Sequence, residues 1–145
     1  EFYLDEQIRQ SILLLEQEWT AKELEVIPEL EEVRYYFNEE MLALVWRNLL
    51  SNAIKFTPPG GQIRVRMQVR LQEVRVSVSD TGIGMAPEVC AHVFEKFFQG
   101  DPSHSKQGYG VGLAIVQRVV TLTGGSVSVT SEPGKGSCFT VTLPR

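Results

Sequence analysis

The feature that most restricts the fold is a pair of segments in which apolar and polar residues alternate. In residues 63–71 every second residue is apolar, and the same alternation returns in residues 74–78 after a short reversal near Gln72. Alternation with a period of two predicts half-exposed β-strands, and the short reversal makes the two strands antiparallel neighbours. The second strand then places Asp80 at its end.

Three other segments have helical periodicity. The first covers residues 5–21, the second begins after Asn38, whose side chain can cap it, and the third ends at Gly124. A further short helix is expected after Pro87. The apolar stripes that predict the three main helices are, in order, Ile8, Ile12, Leu15 and Trp19; Leu42, Val45, Leu49 and Ala53; and Val111, Ile115, Val119 and Leu122.

Shorter apolar runs complete the predicted sheet. Residues 24–27 and 33–37 predict two brief strands or one hairpin, with Pro28 interrupting between them. Two last strands, at about 127–129 and 139–143, are expected on either side of a glycine turn at 132–136. Together these elements predict a layered α/β sandwich, with about three helices on one face of a mixed, mostly antiparallel sheet.

Size and composition predict one globular domain, residues 1–145, of which 43% are hydrophobic. No apolar run approaches the roughly 18 residues of a membrane span. The acidic start has no basic flank like that of a signal peptide. We therefore expect a soluble domain without direct membrane contact. Cys90 and Cys138 have no CxxC spacing, which disfavours a metal knuckle or a disulfide framework and fits a reducing cytoplasm.

Charge is unevenly distributed along the chain. Residues 1–40 hold 12 acidic and 3 basic side chains, a net charge of −9, whereas residues 41–145 have a net charge of +5. A positive region is typical of a site that meets a polyanion, and solvated surface charge is an equal alternative. Arg64, Arg66, Arg70 and Arg75 alternate along the predicted strands without aromatic residues, which indicates a polar sheet face and no nucleic-acid partner.

The second predicted helix carries the first of three chemical motifs. Asn48 and Asn52 are four residues apart, so their side chains project from the same face, and Lys55 follows three residues later. An amide oxygen can enter the octahedral shell of Mg²⁺ without adding charge, while phosphates and waters fill the other positions. Asn52 is the candidate ligand. The alternative is that the asparagines bond to local backbone.

The second and third motifs are rich in glycine. Asp80 precedes a turn that contains Gly82 and Gly84, and its carboxylate can accept the amino proton of adenine, although an aspartate in a glycine turn is a common arrangement. Gly108, Gly110 and Gly112 alternate at a predicted helix start, where bare amides can bind phosphates. Residues 99–110 lack periodicity and predict a mobile loop.

These segments resemble the N box and the two glycine boxes of the sensor histidine kinase catalytic domain, a member of the Bergerat-fold ATPases. Residues 93–98 resemble its F box, and residues 134–137 resemble its closing glycine turn. The resemblance covers about residues 38–145. It implies that ATP is the substrate and Mg²⁺ the cofactor.

The resemblance also assigns roles to residues. It implies that Asn52 binds Mg²⁺ with the help of Asn48, that Lys55 reaches phosphate, and that Asp80 reads adenine above a floor shaped by Gly82 and Gly84. It implies an ATP lid at 95–110 that is hinged on Phe94, Phe97 and Phe98. The alternative for these three phenylalanines is packing in the core. The remaining implied nucleotide contacts are Lys96, Gly108, Tyr109, Gly110, Val111, Gly112 and Leu113.

The residue at position 48 bears on the reaction. Related hydrolysing ATPases carry a glutamate there, and the amide of Asn48 cannot take a proton from water, so transfer to a histidine is favoured. Neither His92 nor His104 is followed by the acidic residue of a phosphoacceptor. The resemblance implies that the acceptor lies on a dimerisation domain absent from the chain, and that a response regulator receiver domain is a further partner.

Some alternatives stay open at this point. The chain could be an ATP hydrolase or a serine protein kinase of the same fold, or an ATP-sensing module without catalysis. A cytoplasmic location is expected, and the resemblance leaves open whether the parent protein is anchored in a membrane.

Overall fold

The computed structural model describes residues 1–95 and 112–145. They form a layer of helices packed on a sheet. The described helices are α1 (Leu4–Leu14), α2 (Glu16–Ala21), α3 (Glu39–Phe56), α4 (Pro87–Cys90) and α5 (Gly112–Thr123). The described strands are β1 (Phe2–Tyr3), β2 (Glu25–Leu30), β3 (Arg34–Tyr35), β4 (Gln62–Val69), β5 (Glu73–Asp80), β6 (Ser126–Glu132) and β7 (Gly136–Pro144).

The main sheet has five strands in the order β2-β4-β5-β7-β6. β2 is parallel to β4, and the other neighbours are antiparallel. α3 contacts α1, α5 and β5, and α5 contacts β6 and β7, so the long helices cover one face of the sheet. The predicted mixed, mostly antiparallel α/β sandwich is confirmed. The alternation in β4 and β5 is confirmed for the inward residues Ile63, Val65, Met67, Val74, Val76 and Val78, which are buried. It is wrong at its predicted end, because β4 stops at Val69 and Leu71, in the turn before β5, is 89% exposed.

The single helix predicted over residues 5–21 is wrong, because the chain forms α1 and α2 with a break at Leu15. There the backbone has φ −101° and ψ 14°. The break allows the indole Nε1 of Trp19 to donate a hydrogen bond to the carbonyl oxygen of Ile12 at 3.0 Å, which satisfies a carbonyl near the end of α1. Ile8 and Ile12 are buried as predicted, whereas Leu15 and Trp19 are only partly buried.

Two strands form in the region 24–37, but the hairpin alternative is wrong because they do not pair with each other. β2 lies parallel to β4, and β3 pairs with β1. Pro28 does not separate them, since it lies inside β2. β2 is an outer strand of the sheet, and a residue without an N–H is tolerated on an outer strand.

The predicted start of α3 is confirmed. The Asn38 side-chain oxygen accepts a hydrogen bond from the Met41 backbone N–H at 2.9 Å, as expected of a helix cap. The predicted stripe of Leu42, Val45, Leu49 and Ala53 is buried. α3 is therefore fixed along one face, which sets the direction of its other faces.

The buried face predicted for the last helix is wrong. Val119 is buried as predicted, but Ile115 is only partly buried and Leu122 is 49% exposed. The residues of α5 that are buried are Leu113, Val116, Val119 and Val120. Apolar residues lie around most of the circumference of this helix, so that periodicity alone could not select the face that packs on α3.

The face of the sheet opposite the helices is polar. Arg64 and Arg66 of β4 are exposed there, and Arg64 forms an ion pair with Glu29 of β2 at 2.7 Å. This confirms the prediction that these arginines belong to a polar sheet face. Within the described ranges, none of the helices has the length and apolar character that crossing a bilayer requires.

Candidate functional site

One helix carries three of the predicted site residues. Asn48, Asn52 and Lys55 lie in the second half of α3, and all three are partly buried. Because residues four apart on a helix share a face, the two asparagines project on the same side of α3. The Lys55 Nζ atom lies 5.2 Å from the centroid of the Phe56 ring, within the range of a cation–π contact.

Asn48 faces the start of α5. Its Nδ2 donates a hydrogen bond to the Leu44 carbonyl oxygen at 2.7 Å. The amide nitrogen of Asn48 is therefore bonded to local backbone, which was the alternative to a role in metal binding. The Oδ1 of Asn48 points to Gly112, where an added Cβ would lie only 2.8 Å from that oxygen. The structure therefore brings the first and third motifs into contact at Asn48 and Gly112.

Asp80 lies at the end of β5 and is only 8% exposed. Its Oδ1 accepts backbone hydrogen bonds from the Gly82 N–H at 2.9 Å and the Ser137 N–H at 3.2 Å. Burial raises the pKa of the Asp80 carboxyl above its ordinary value, and the two hydrogen bonds offset part of that rise. Because both backbone donors take Oδ1, Oδ2 is the oxygen left to meet a donor on a ligand.

The segment after Asp80 requires glycine for close approach. A Cβ at Gly82 would lie 2.4 Å from the Phe56 carbonyl oxygen. Gly84 has φ +71°, and a Cβ there would lie 1.9 Å from the Glu132 carbonyl oxygen. Residues 81–85, which we call the glycine loop, therefore pack directly on backbone at two places, the end of α3 and the β6–β7 turn.

Two backbone hydrogen bonds join these parts. The Ile83 N–H donates to the Phe56 carbonyl oxygen at 3.1 Å, and the Gly134 N–H donates to the Ile83 carbonyl oxygen at 2.7 Å. Asn52 lies one helical turn before Phe56. α3 thus brings the predicted magnesium ligand to the segment that follows Asp80, and the β6–β7 turn closes the other side of that segment.

The predicted lid falls mostly outside the described residues, as do Lys96, Phe97, Phe98, Gly108, Tyr109, Gly110 and Val111. Phe94 is described, and its ring packs edge-on against Phe139 with centroids 6.0 Å apart and an interplanar angle of 88°. This supports core packing for Phe94. The Leu113 side chain is buried in the core, so only its backbone could contact a nucleotide.

Metal ligation would depend on amide oxygens. Residues 1–95 and 112–145 contain no group of three or more His, Cys, Asp or Glu side chains placed to hold a metal ion. The neutral Asn52 and Asn48 oxygens fit Mg²⁺ as a minority of its ligands, with phosphate oxygens and waters completing the octahedron. Such a donor set suits a metal that arrives with a nucleotide.

Ser137 is a residue of the candidate site that the sequence pattern does not indicate. Its contribution is a backbone N–H, which carries no signature of side-chain chemistry. The neighbouring Gly136 was the available signal, because it has φ +94° and a Cβ there would lie 1.9 Å from the Asp80 carbonyl oxygen. That glycine allows β7 to approach Asp80 closely enough for the Ser137 N–H to donate to it.

Comparison with known proteins identifies the family. The model of the histidine kinase-, DNA gyrase B- and HSP90-like ATPases matches residues 37–145. The chain belongs to this ATPase family. The adaptive-response sensory kinase SasA of Crocosphaera subtropica is 39% identical over 128 residues, which are 86% of the chain and 34% of that protein. The chain thus covers about a third of the length of this curated relative.

Solved structures agree with this assignment. The mycobacterial sensor histidine kinase MprB matches with a TM-score of 0.85 and 30% identity, over 99% of this chain and 96% of that one. The histidine kinase ThkA in complex with the response regulator protein TrrA matches with a TM-score of 0.79 and 25% identity, over 99% and 40%. The predicted Bergerat fold is confirmed, and the ATPase domain is an ATP-binding catalytic domain of the sensor histidine kinase type.

Proposed function

We propose that this domain binds ATP with Mg²⁺ and transfers the γ-phosphoryl group to a histidine on a dimerisation domain. One observation carries the proposal. The nearly buried Asp80 carboxylate has one oxygen held by two backbone N–H groups, and its glycine loop is bonded to the end of the helix that carries Asn48 and Asn52. In the proposed site the held carboxylate would accept a hydrogen bond from the base, and the amide oxygens of the helix would bind the metal.

Each group has a defined task in this proposal. Asp80 Oδ2 accepts a proton from the 6-amino group of adenine, and Gly82 and Gly84 form the floor. Asn52, assisted by Asn48, offers an amide oxygen to Mg²⁺, which when bound neutralises charge on the phosphates. Lys55 adds a positive charge for the phosphates. The backbone N–H groups of Gly112 and Leu113, at the start of α5, suit an anion.

The lid residues complete the proposed nucleotide site. Lys96 would add a second positive charge, and the segment from Gly108 to Val111, with Tyr109 and Gly110 between, would supply backbone amides to the phosphates. These assignments follow from the motif alone. They are the part of the proposal that depends on residues outside the described ranges.

Asn48 supports transfer to a nucleophile over hydrolysis. Its amide is neutral and its Nδ2 is a donor to the Leu44 carbonyl, so it cannot take a proton from an attacking water. An imidazole needs no such base, because it is nucleophilic in its neutral form. The domain would then contribute positioning and charge neutralisation during in-line attack.

The partners follow from the reaction. The acceptor histidine would lie on the dimerisation domain of the parent protein, and the phosphoryl group would pass from it to a response regulator receiver domain in the cytoplasm. ThkA, which is 25% identical to this chain, has been solved in complex with the response regulator protein TrrA, and that complex supports the second partner.

Label transfer tests the proposed function. The domain is mixed with γ-labelled ATP, Mg²⁺ and a separately purified dimerisation domain that carries the acceptor histidine. The expected product is an acid-labile, base-stable label on that second domain, which is lost when the histidine is replaced by alanine. Release of inorganic phosphate without protein label would indicate a hydrolase, and an acid-stable label would indicate a serine kinase. If the domain binds ATP but produces neither inorganic phosphate nor labelled protein, the result would indicate an ATP-sensing module without catalysis.

A further inference from the structure

Three polar side chains lie in one row across the end of the sheet. In the strand register Asp80 is opposite Ser137, and Ser137 is opposite Ser131. Ser131 continues the inward series of β6 that begins with Val127 and Val129, all three partly buried. A hydroxyl therefore occupies a position that the alternation of β6 would give to an apolar residue. Its side chain lies on the same face as the Asp80 carboxylate.

The Ser131 hydroxyl is bonded to three neighbours. Its Oγ accepts the Met85 backbone N–H at 2.8 Å, donates to the Gly136 carbonyl oxygen at 2.9 Å, and lies 2.8 Å from the Ser137 Oγ. A hydroxyl has one proton and two lone pairs. Since that proton goes to Gly136, the Ser137 hydroxyl must be the donor to Ser131, and the hydrogen-bonding capacity of Ser131 is then fully used.

The bond to Gly136 acts on the residue that reads the base. The Gly136 carbonyl and the Ser137 N–H belong to the same peptide group, and they point to opposite sides of β7. The carbonyl oxygen accepts from Ser131, and the N–H donates to Asp80 Oδ1 at 3.2 Å. A hydrogen bond to a carbonyl polarises the N–H of the same peptide and strengthens its own bond. Ser131 thus fixes and strengthens one of the two donors that hold Asp80.

The bond to Met85 acts on the other donor. Gly82, whose N–H also donates to Asp80 Oδ1, lies in the glycine loop, and Met85 is the last residue of that loop. Met85 is buried, and its N–H is tied to β6 only through the Ser131 hydroxyl among the hydrogen bonds of the described residues. One side chain therefore anchors both segments that donate to Asp80.

We propose that Ser131 is a positioning residue that sets the preference for adenine by holding Asp80 Oδ1 in its two backbone bonds, which keeps Oδ2 directed at the 6-amino group. This inference rests on the proposed function, because it takes ATP as the ligand. Ser131 itself touches neither the base nor the phosphates in this role. Its effect should therefore be confined to the part of the binding energy that depends on the base.

Paired nucleotides test the role of Ser131. Dissociation constants of ATP and of inosine triphosphate, which carries a carbonyl where adenine has its amino group, are measured by calorimetry for this chain and its variants. Ser131→Ala is expected to weaken ATP binding by about tenfold and to leave inosine triphosphate binding within about twofold, so that the preference for ATP falls about tenfold. Ser131→Thr, which keeps the hydroxyl, is expected to restore the preference.

Matched controls separate positioning from folding. Ser128→Ala removes an exposed hydroxyl from the same strand and should leave the preference unchanged. If Ser131→Ala does not fold, Ser131→Cys keeps the shape with a weaker hydrogen-bonding atom and should give an intermediate preference. A folded Ser131 variant that lowers the melting temperature but keeps the preference would overturn the inference alone. A wild-type domain that binds neither nucleotide would overturn the proposed function together with it.

Discussion

The two sides of the candidate site are assembled in different ways. On the helix side, Asn48, Asn52 and Lys55 belong to α3, and the helical repeat alone sets their relative positions. On the sheet side, Asp80 Oδ1 is held by donors that are 2 and 57 residues away in sequence. The helix side is therefore local, whereas the sheet side exists only when the β6–β7 hairpin is docked. Substitutions on the two sides should change different properties.

The largest effect is expected on the helix side. Asn52→Ala should lower the rate of phosphoryl transfer by about 10³-fold, because in the proposed site the metal would lose a protein ligand in the transition state. The free energy of unfolding should change by less than about 0.5 kcal/mol, since alanine favours the helix. Label transfer and urea unfolding check the two parts. Ser51→Ala, at the exposed neighbouring position, is the control and should leave both unchanged.

On the sheet side, replacing a glycine by alanine should change the free energy of unfolding, which Asn52→Ala on the helix side should leave almost unchanged. Gly136→Ala should lower the free energy of unfolding by about 3 kcal/mol, because its φ is +94° and the added Cβ would lie 1.9 Å from the Asp80 carbonyl oxygen. Gly134→Ala, in the same turn, has φ +79° with no atom within 4 Å of the added Cβ, and should cost about 1 kcal/mol. Equal losses in urea unfolding would show that contact with Asp80 does not determine the position of β7.

The base preference should respond to substitution of Asp80 on the sheet side and not to substitution of Asn52 on the helix side. Asp80→Asn keeps an oxygen that can accept from Gly82 and Ser137, but places an N–H₂ group where Oδ2 was. ATP affinity should fall roughly 10–100-fold, and the preference should shift towards inosine triphosphate, whose carbonyl can accept from that group. Competition binding measures the shift. Asn52→Ala should keep the wild-type preference, and a shift in that variant would mean that the two sides are not independent.

The smallest effect concerns pH. Burial raises the pKa of Asp80 above its ordinary value of 3.8, so its carboxylate is lost at a higher pH than that of an exposed aspartate. On acidification, ATP affinity of the wild type should therefore begin to fall at a higher pH than an exposed aspartate would give, whereas the Asp80→Asn variant should lack this component. Calorimetry at several pH values checks the expected convergence of the two affinities. Parallel curves would mean that Asp80 does not titrate in the site.

The stability effect has the opposite sign. A carboxyl whose pKa is raised by folding stabilises the fold below its ordinary pKa, and this contribution is lost as the pH rises through the raised value. At neutral pH the Asp80→Asn variant should therefore unfold at the same urea concentration as the wild type or a higher one. A clear loss of stability at neutral pH would mean that the carboxylate has a stabilising partner.

Local patterns in the sequence predicted the helix side well. The cap at Asn38 and the buried stripe of α3 follow from spacing within one element, and they fix where Asn48 and Asn52 project. Alternation likewise placed Asp80 at the end of β5. Packing choices were harder to predict, because α5 is apolar around most of its circumference and because the apolar stripe from Ile8 to Trp19 gives no sign of the break at Leu15.

The sheet side depends on information that periodicity does not contain. The contact of the Ser137 N–H with Asp80 arises from the register of β5 and β7, which no local pattern determines. The parallel docking of β2 on β4 is of the same kind, and it also determines that Pro28 lies on an outer strand. The glycine motifs indicated positions at which the chain packs closely against another segment, such as Gly82 and Gly84. They did not indicate that the contacted segments are the backbone at Phe56 and at Glu132.

A single nuclear magnetic resonance titration tests most directly whether both sides form one cleft. The ¹⁵N-labelled domain is titrated with ATP and Mg²⁺, and three signals are followed: the side-chain amide of Asn52 and the backbone amides of Gly82 and Ser137. All three are predicted to shift with one saturation curve and one dissociation constant. A shift confined to Asn52, or to the two backbone amides, would contradict a shared nucleotide site.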